Sequence, residues 1–190
     1  LVVALCSLLG AEILVPMDQT QSNHLKAYGV AFEALKEQYV VKWLLNYRGG
    51  SFLMPESEGL AALCNIRGVR FELVSSAQVA AIMAEIQDAN MEALVLEKEP
   101  KIAIYIPPNA LPWDDAVTLA LNYAEIDYDR FWDDEVLEGK LVDYDWLHLH
   151  HEDFTGQFGK FYGSYRHMPW YQNDVRTNEA MAAKHGYAKV

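Results

Sequence analysis

Apolar runs alternate with amphipathic stretches along the chain from residue 12 onward. The run EILVPMD at 12–18 is followed by HLKAYGVAFEALKEQY, in which Leu25, Tyr28 and Phe32 recur at helical spacing and share one face. A new apolar run, VVKWLLN, begins at Val40. Short strands that alternate with helices through brief connections predict an α/β protein with a parallel sheet and helices on both faces.

The same alternation continues to about residue 150. Further strands are predicted at VRFELV, EALVLE, KIAIYIPP and DWLHLH, and the segment IDYDRFW lies between the last two. Ser76 is the predicted N-cap of a helix in which apolar residues recur every three or four positions. The other helices are predicted at about 24–39, 56–65, 113–123 and 173–185.

A charged run, Glu-Lys-Glu-Pro at 97–100, separates two halves of this pattern. We expect a first βα unit over 12–97 and a second over 98–190. Residues 154–190 show no strand pattern, so the second unit is predicted to lack the later strands of a doubly wound sheet. Either its elements pack onto the sheet of the first unit, or the natural polypeptide continues past Val190.

The first eleven residues, LVVALCSLLGA, form an apolar run that is too short to span a bilayer. A run of this length before a charged residue and a strand is typical of the apolar part of a secretory leader. We therefore predict that 1–11 is the remainder of a signal peptide and that the protein is periplasmic or secreted. A buried first strand is the alternative. No integral membrane span is predicted.

The charge balance bears on the class of partner. The 190-residue chain has 27 acidic and 15 basic side chains and a formal net charge of −12. Because the acids are scattered and no basic run compensates them, most of the surface would repel a polyanion, and no nucleic acid partner is expected. The two cysteines, Cys6 and Cys64, have no zinc-ligand spacing, and Cys64 is predicted to be a buried apolar residue.

Chemically active side chains concentrate at the end of the strand DWLHLH. A period of two places Trp146, His148 and His150 on one face, with the bases of the two histidines roughly 7 Å apart. His151 and Glu152 follow where the strand ends. Since ligands bind outside the carboxyl ends of strands in open α/β sheets, this position predicts a site.

Three roles remain open for this cluster. His148, His150 and His151 can bind a divalent metal ion. His148, His150 and Glu152 can act in acid–base catalysis or contact a substrate directly. The histidines can also be structural, hydrogen-bonded to neighbouring loops. The metallo-β-lactamase pattern HxHxDH is not matched, because Glu152 and Asp153 stand in its last two places.

A second candidate site begins after the strand VVKWLLN. Arg48, Gly49 and Gly50 follow that strand directly, and successive backbone N–H groups beside a guanidinium can form an anion nest. A glycine pair in a tight turn is the simpler alternative.

The loop after the first strand adds three residues to the same rim. Asp18 lies at the carboxyl end of that strand, and Asn23 and His24 lie on the first helical turn. Together with the Arg-Gly-Gly turn they predict a site for a small molecule or a peptide. The alternative is that Asp18, Thr20 or Ser22 only caps the helix.

The segment FTGQFGKFYGSYRHMPWY at 154–171 interleaves aromatic residues with glycines. Aromatic side chains on a flexible loop can stack on a sugar, a peptide or a base. They can equally be buried against a further part of the protein. We favour burial, because the second unit is predicted to be incomplete.

The chain resembles a family of bacterial secreted proteins that carry the label asparagine synthetase B. The stretches that carry the resemblance cover most of 12–170 and are ILVPMDQTQSNHLKAYGVAFEALK, VKWLLNYRGGSF, IRGVRFELV, PWDDAVTLALNYAEI and YDWLHLHHEDFTGQFGKFYGSYR. The label does not describe a glutamine-hydrolysing asparagine synthetase. Such an enzyme needs an N-terminal cysteine nucleophile and an SGGxDS-type loop, and the sequence has neither.

The resemblance implies a flavodoxin-like or class I glutamine amidotransferase-like fold. In family members the chain continues into a Gly-rich strand and a cysteine-bearing turn, so it implies that the nucleophile lies past Val190. We expect an amidotransferase-like or hydrolase-like envelope protein with His148, His150 and Glu152 near its site. A non-catalytic protein that binds a small ligand or metal through His148, His150 and His151 is the alternative, and a structural role in the envelope is the third.

Overall fold

The computed structural model describes residues 10–106, 108, 115–149 and 158–188. Of the apolar run predicted to be a leader, residues 1–9 lie outside this described part. In the described ranges, no helix combines the length and the apolarity that crossing a bilayer requires.

The contacts within the chain divide it into two compact units. The first contains the chain up to Glu99 together with Ala120–Ile126, and the second contains Pro100–Leu119 and the residues from Asp127 onward. Each unit has a sheet of its own.

The first unit is built on a five-stranded antiparallel sheet with the strand order β4-β1-β3-β2-β5. Leu14 of β1 is paired with Leu53 of β3, and Trp43 of β2 with Phe52 of β3. The strands are β1 (Glu12–Val15), β2 (Val41–Leu45), β3 (Ser51–Pro55), β4 (Glu72–Val74) and β5 (Glu92–Leu96).

The prediction of a single parallel sheet with helices on both faces, flavodoxin-like or amidotransferase-like, is therefore wrong. The physical reason lies between β2 and β3, which are joined only by residues 46–50. A parallel pair needs a crossover of a dozen or more residues, whereas an antiparallel pair can be closed by a short turn. Asn46, Arg48, Gly49 and Gly50 all adopt positive φ in that turn. The apolar stretch SFLMP after the glycines is a strand that the sequence pattern did not predict.

Three helices cover this sheet: α1 (His24–Lys36), α2 (Glu58–Arg67) and α3 (Ser76–Asp88). The side chain of Asn23 caps α1 by accepting from the N–H of Lys26. Ser75, and not Ser76, is the N-cap of α3, where it forms a capping box with Gln78. The helix cap predicted for Asp18, Thr20 or Ser22 is thus supplied by Asn23.

The two faces of the sheet pack against different helices, as a period of two requires. Ile13 and Val15 belong to a buried cluster that includes apolar residues of α1 and α2. Leu14 and Leu53 belong to a second cluster with Ile82 of α3. Each strand of the sheet centre is therefore buried on both sides, which explains its continuous apolar sequence.

Cys64 of α2 is fully buried, as predicted. Burial raises the pKa of its thiol to about 11. Because the thiolate is the reactive form, Cys64 is a packing residue and not a nucleophile.

The second unit contains a three-stranded parallel sheet with the order β7-β6-β8. Its strands are β6 (Ile102–Tyr105), β7 (Asp129–Phe131) and β8 (Trp146–Leu149), and α4 (Ala116–Ala124) lies between β6 and β7 in the chain. The parallel arrangement is confined to these strands among the described residues. Their carboxyl ends meet at one edge, and this edge carries the candidate site.

Three further helices follow: α5 (Asp133–Leu137), α6 (Phe158–Tyr165) and α7 (Pro169–Lys184). The sequence predicts only the later part of α7, because glycines at 159 and 163 weaken the helical pattern of the aromatic segment. Pro169 occupies the first turn of α7, where its missing N–H costs no hydrogen bond. The other end of α7 is tied to α5 by an ion pair from Lys184 to Asp134 and by a hydrogen bond from His185 to the same carboxylate.

Candidate functional site

The strand β8 carries His148 near the carboxyl edge of the parallel sheet. Its Cα lies opposite that of Ile104 in β6. Nε2 of His148 lies 3.2 Å from Oδ2 of Asp115, which is an ion-pair distance when the imidazole is protonated. We call these two residues the Asp–His pair.

Asp115 is held by the first turn of α4. The N–H of Val117 donates to Oδ1 at 3.1 Å, and the N–H of Thr118 points to Oδ2 at 3.4 Å. The hydroxyl of Thr118 donates to the backbone carbonyl of Asp115 at 2.8 Å. A carboxylate at a helix N-terminus is favoured by the unpaired N–H groups and by the helix dipole. Asp115 is only 4% exposed, so its carboxylate is both fixed and shielded.

The imidazole of His148 is partly accessible. Its side chain is 24% exposed, whereas that of Asp115 is 6% exposed. The ring of Trp146 meets it edge to face with 6.4 Å between the ring centroids. This contact agrees with the prediction that both residues share one face of the strand. A fixed carboxylate behind a reachable imidazole is the arrangement of a general base and the group that orients it.

Aromatic and acidic side chains lie at the carboxyl ends of the other two strands. The Tyr105 hydroxyl donates to the carboxylate of Asp133, and the rings of Tyr105 and Trp132 stack with their centroids 4.8 Å apart. The sequence pattern does not single out these residues or Asp115. The signal that could have found them is position: each directly follows or ends a strand, or begins the helix after one.

His150, His151 and Glu152 lie outside the described residues. Their roles as metal ligands or catalytic groups therefore stay predictions. In the part of the chain that the structure does describe, no three histidine, cysteine, aspartate or glutamate side chains are placed to hold a metal ion.

The residues of the second predicted site come together in the first unit. Nε of Arg48 donates to Asp18 at 2.7 Å, and its two terminal nitrogens donate to Glu72 at 3.0 Å and to the Thr20 hydroxyl at 3.2 Å. Two carboxylates thus compensate the charge of one guanidinium. This arrangement ties the first loop, the β2–β3 turn and β4 to one another, and it leaves less positive charge for an anionic ligand.

The other members of the predicted set also make contacts that order these loops. Nε2 of His24 lies 3.1 Å from the carbonyl oxygens of both Met17 and Asp18. The side-chain amide of Asn23 donates to the hydroxyl of Tyr123 at 2.7 Å. The carbonyl of Gly50 accepts from the indole of Trp43 at 3.0 Å. A ligand-binding role for this set stays a prediction, since loop packing already uses these groups.

The Asp18 carboxyl should titrate at unusually low pH. Hydrogen bonds from the Thr20 hydroxyl, from Arg48 and from the Thr20 N–H lower its pKa from the ordinary 3.8 to about 2. Because the pKa is lowered on folding, Asp18 stabilises the fold above about pH 4, and this contribution is lost between about pH 4 and pH 2. A carbon-13 NMR titration of the Asp18 carboxyl checks the midpoint.

The same titration of Thr20→Val tests the cause. Removing the hydroxyl deletes the largest of the three effects, so the Asp18 midpoint should rise. An Asp18 midpoint near 3.8 in the unchanged protein would contradict the hydrogen-bonded arrangement.

Comparison with known proteins found no match for the chain. The resemblance to secreted proteins labelled asparagine synthetase B therefore stays a prediction, and the function has to be argued from the Asp–His pair itself. No family model, no curated protein and no solved structure matches the chain.

Proposed function

We propose that the second unit is hydrolase-like and acts on a small molecule at the carboxyl edge of its parallel sheet. In this proposal His148 exchanges the proton, and Asp115 holds the imidazole in place. The observation that carries the proposal is the 3.2 Å approach between Nε2 of His148 and the carboxylate of buried Asp115.

The carboxylate determines which nitrogen of His148 is basic. With Oδ2 of Asp115 beside it, Nε2 keeps its proton in the neutral ring, and Nδ1 carries the free lone pair. Nδ1 can then accept a proton from a water molecule that attacks the substrate. The buried carboxylate stabilises the imidazolium ion that forms, as in other carboxylate–histidine pairs. This is a route to hydrolysis that needs no cysteine or serine from the described residues.

The surroundings favour a small ligand. Trp146 is 43% exposed beside His148, and the stacked Tyr105 and Trp132 lie at the carboxyl ends of β6 and β7 in the same sheet. Flat aromatic faces beside an acid–base pair are typical of small-molecule sites. The resemblance stated above supports an envelope location, whereas synthesis of asparagine is not proposed.

The test is hydrolysis of a panel of p-nitrophenyl esters, p-nitroanilides and the free amides glutamine and asparagine. His148→Gln should lower kcat/KM by a factor of about 10² to 10⁴, the usual contribution of a general base. Asp115→Asn should lower it as well, because the amide does not stabilise the imidazolium ion.

The matched control is His185→Gln. His185 also lies beside a carboxylate, with Nε2 2.7 Å from Asp134, and this contact joins α7 to α5. This variant should keep full activity. The proposal would be wrong if His148→Gln and His185→Gln were equally active, or if the unchanged protein hydrolysed no member of the panel.

A non-catalytic metal or ligand site is the second candidate function. The observation that favours it is again Asp115, since histidines that bind metals usually hold a carboxylate at their other ring nitrogen. Zinc uptake by the purified protein should then be abolished in the double variant His148→Ala, His150→Ala, with an unchanged circular dichroism spectrum. Equal zinc content in the two proteins would exclude this function.

A further inference from the structure

The described C-terminal helices reverse the charge of the chain. The whole sequence has a net charge of −12, yet residues 158–188 hold more cations than anions. The four cations are Lys160, Arg166, Arg176 and Lys184, and the two anions are Asp174 and Glu179. An anionic ligand that is repelled elsewhere is therefore attracted to this segment.

A cavity of about 520 Å³ lies between α6, α7 and the turn that joins them. This volume is in the range of small-molecule sites. Its lining combines cationic, aromatic and amide side chains: Tyr162, Arg166, His167, Tyr171, Gln172 and Arg176.

The two arginines of the cavity differ in their contacts. Arg166 is held in place, because it donates to the carbonyl of Gly163 at 2.6 Å and lies 5.8 Å from the centre of the Tyr162 ring. Arg176 has no ion-pair partner among the described residues. Its guanidinium is thus able to bind a carboxylate or a phosphate with two parallel hydrogen bonds.

The aromatic side chains supply the second part of the site. Tyr162 is 50% exposed on α6, and Tyr171 of α7 is buried with its ring centroid 6.4 Å away. Phe161 contacts Tyr165 and Trp170 with ring centroids 4.7 and 6.1 Å away, and these three rings are also partly exposed. A half-exposed ring within an aromatic cluster is a surface on which a planar ligand can stack.

We propose that this cavity binds a small molecule that joins a planar ring to an anionic group, either a phosphate or a carboxylate. The ring stacks on Tyr162, and the anion meets Arg176 and Arg166. The proposal rests on the cavity, the charge and the aromatic packing, and it does not depend on the function proposed for the Asp–His pair.

The test uses isothermal titration calorimetry on the full chain at low ionic strength with four probes. Adenosine monophosphate and naphthalene-2-carboxylate each combine a ring with an anion, whereas adenosine lacks the anion and inorganic phosphate lacks the ring. We expect one or both of the combined probes to bind at least about tenfold more tightly than adenosine and phosphate, since each half contributes. Binding of only one combined probe identifies which pairing of ring and anion the cavity accepts.

Arg176→Gln should weaken binding of the combined probe by about tenfold. The matched control is Arg70→Gln, which removes an exposed guanidinium from the first unit and should leave the affinity unchanged. Circular dichroism verifies that both variants are folded. Tyr162→Leu should also weaken the combined probe while leaving phosphate binding unchanged.

Three outcomes would overturn the proposal. The first is that neither combined probe binds at millimolar concentration. The second is that Arg70→Gln loses as much affinity as Arg176→Gln, which would indicate non-specific attraction. The third is that phosphate alone binds as tightly as the combined probes, which would remove the role of the ring.

Discussion

Gly49→Ala should lower the free energy of unfolding of the first unit by about 3 kcal/mol or more, because two costs add at this position. Gly49 has a φ of +82°, a conformation that an L side chain rarely adopts. A Cβ there would lie 2.4 Å from the carbonyl oxygen of Met17 and 2.9 Å from the N–H nitrogen of Asp18. Both contacts are to backbone atoms, so relief requires the loop and the β2–β3 turn to move apart.

The control for Gly49 is Gly68→Ala. Gly68 ends α2 with a φ of +66°, and a Cβ there would meet nothing within 4 Å. Gly68→Ala should therefore lower the free energy of unfolding by only about 1 kcal/mol, the cost of holding alanine at a positive φ. Urea denaturation, with hydrogen exchange read on peptides of the first unit, measures both variants. Equal losses of unfolding free energy in Gly49→Ala and Gly68→Ala would show that the contact with the Met17 carbonyl does not destabilise the variant.

Gly29→Ala should destabilise the first unit to a similar extent, by about 3 kcal/mol or more, through overpacking alone. A Cβ on Gly29 of α1 would lie 1.8 Å from the carbonyl oxygen of Ala124 and 3.2 Å from a terminal nitrogen of Arg67. Real Cβ atoms do not approach backbone this closely, so the segment 120–126 would have to separate from α1. The ion pairs of Glu125 with Lys26 and Arg67, which hold that segment, would be lost with it.

Gly59→Ala is the matched control for Gly29. Gly59 is an exposed residue of α2, and a Cβ there would meet only the Ser57 hydroxyl, at 3.6 Å. Because alanine has the higher helix propensity, this variant should be unchanged or more stable by up to about 1 kcal/mol. Hydrogen exchange of the α1 amides distinguishes the two cases. Protection of α1 that is unchanged in Gly29→Ala would contradict the close approach of α1 to residue 124.

The helices that pack against the large sheet could largely be predicted from the sequence. In α1 the predicted helix is present, but its buried face was only partly predicted. Phe32 is buried as expected, whereas Leu25 and Tyr28 are 43% and 44% exposed and the smaller Ala27, Val30 and Ala31 are buried in their place. In α3, the predicted cap was wrong by one residue, because Ser75 and Ser76 are chemically alike and only the backbone decides which one accepts from Gln78.

Strand direction could not be predicted, because apolar runs look the same in parallel and antiparallel sheets when both faces are buried. The information that decides it lies in the turn at 46–50, where four residues adopt positive φ. Asn46 and Arg48 are not glycines, so their residue types do not reveal that their φ angles are positive. The glycine pair at 49–50 allows a tight turn, but the residues after it show no strand pattern that would reveal β3.

Of the two residues of the Asp–His pair, the sequence pattern singles out only His148. His148 follows from the period of two in β8 and from the position of ligand sites at strand ends. Asp115 lies 33 positions earlier in the chain, and nothing in the local pattern connects it with His148. The carboxylate reaches the imidazole because α4 begins at the edge where β8 ends.

The amino-acid sequence is enough to locate most of the strands and helices of this protein and to place His148 at a strand end. Local periodicity carries that information, since burial of one face is a property of a single element. The antiparallel sheet and the Asp–His pair became visible only in the tertiary structure. These features join residues that are distant in the chain or depend on backbone angles, and hydrophobic patterning encodes neither.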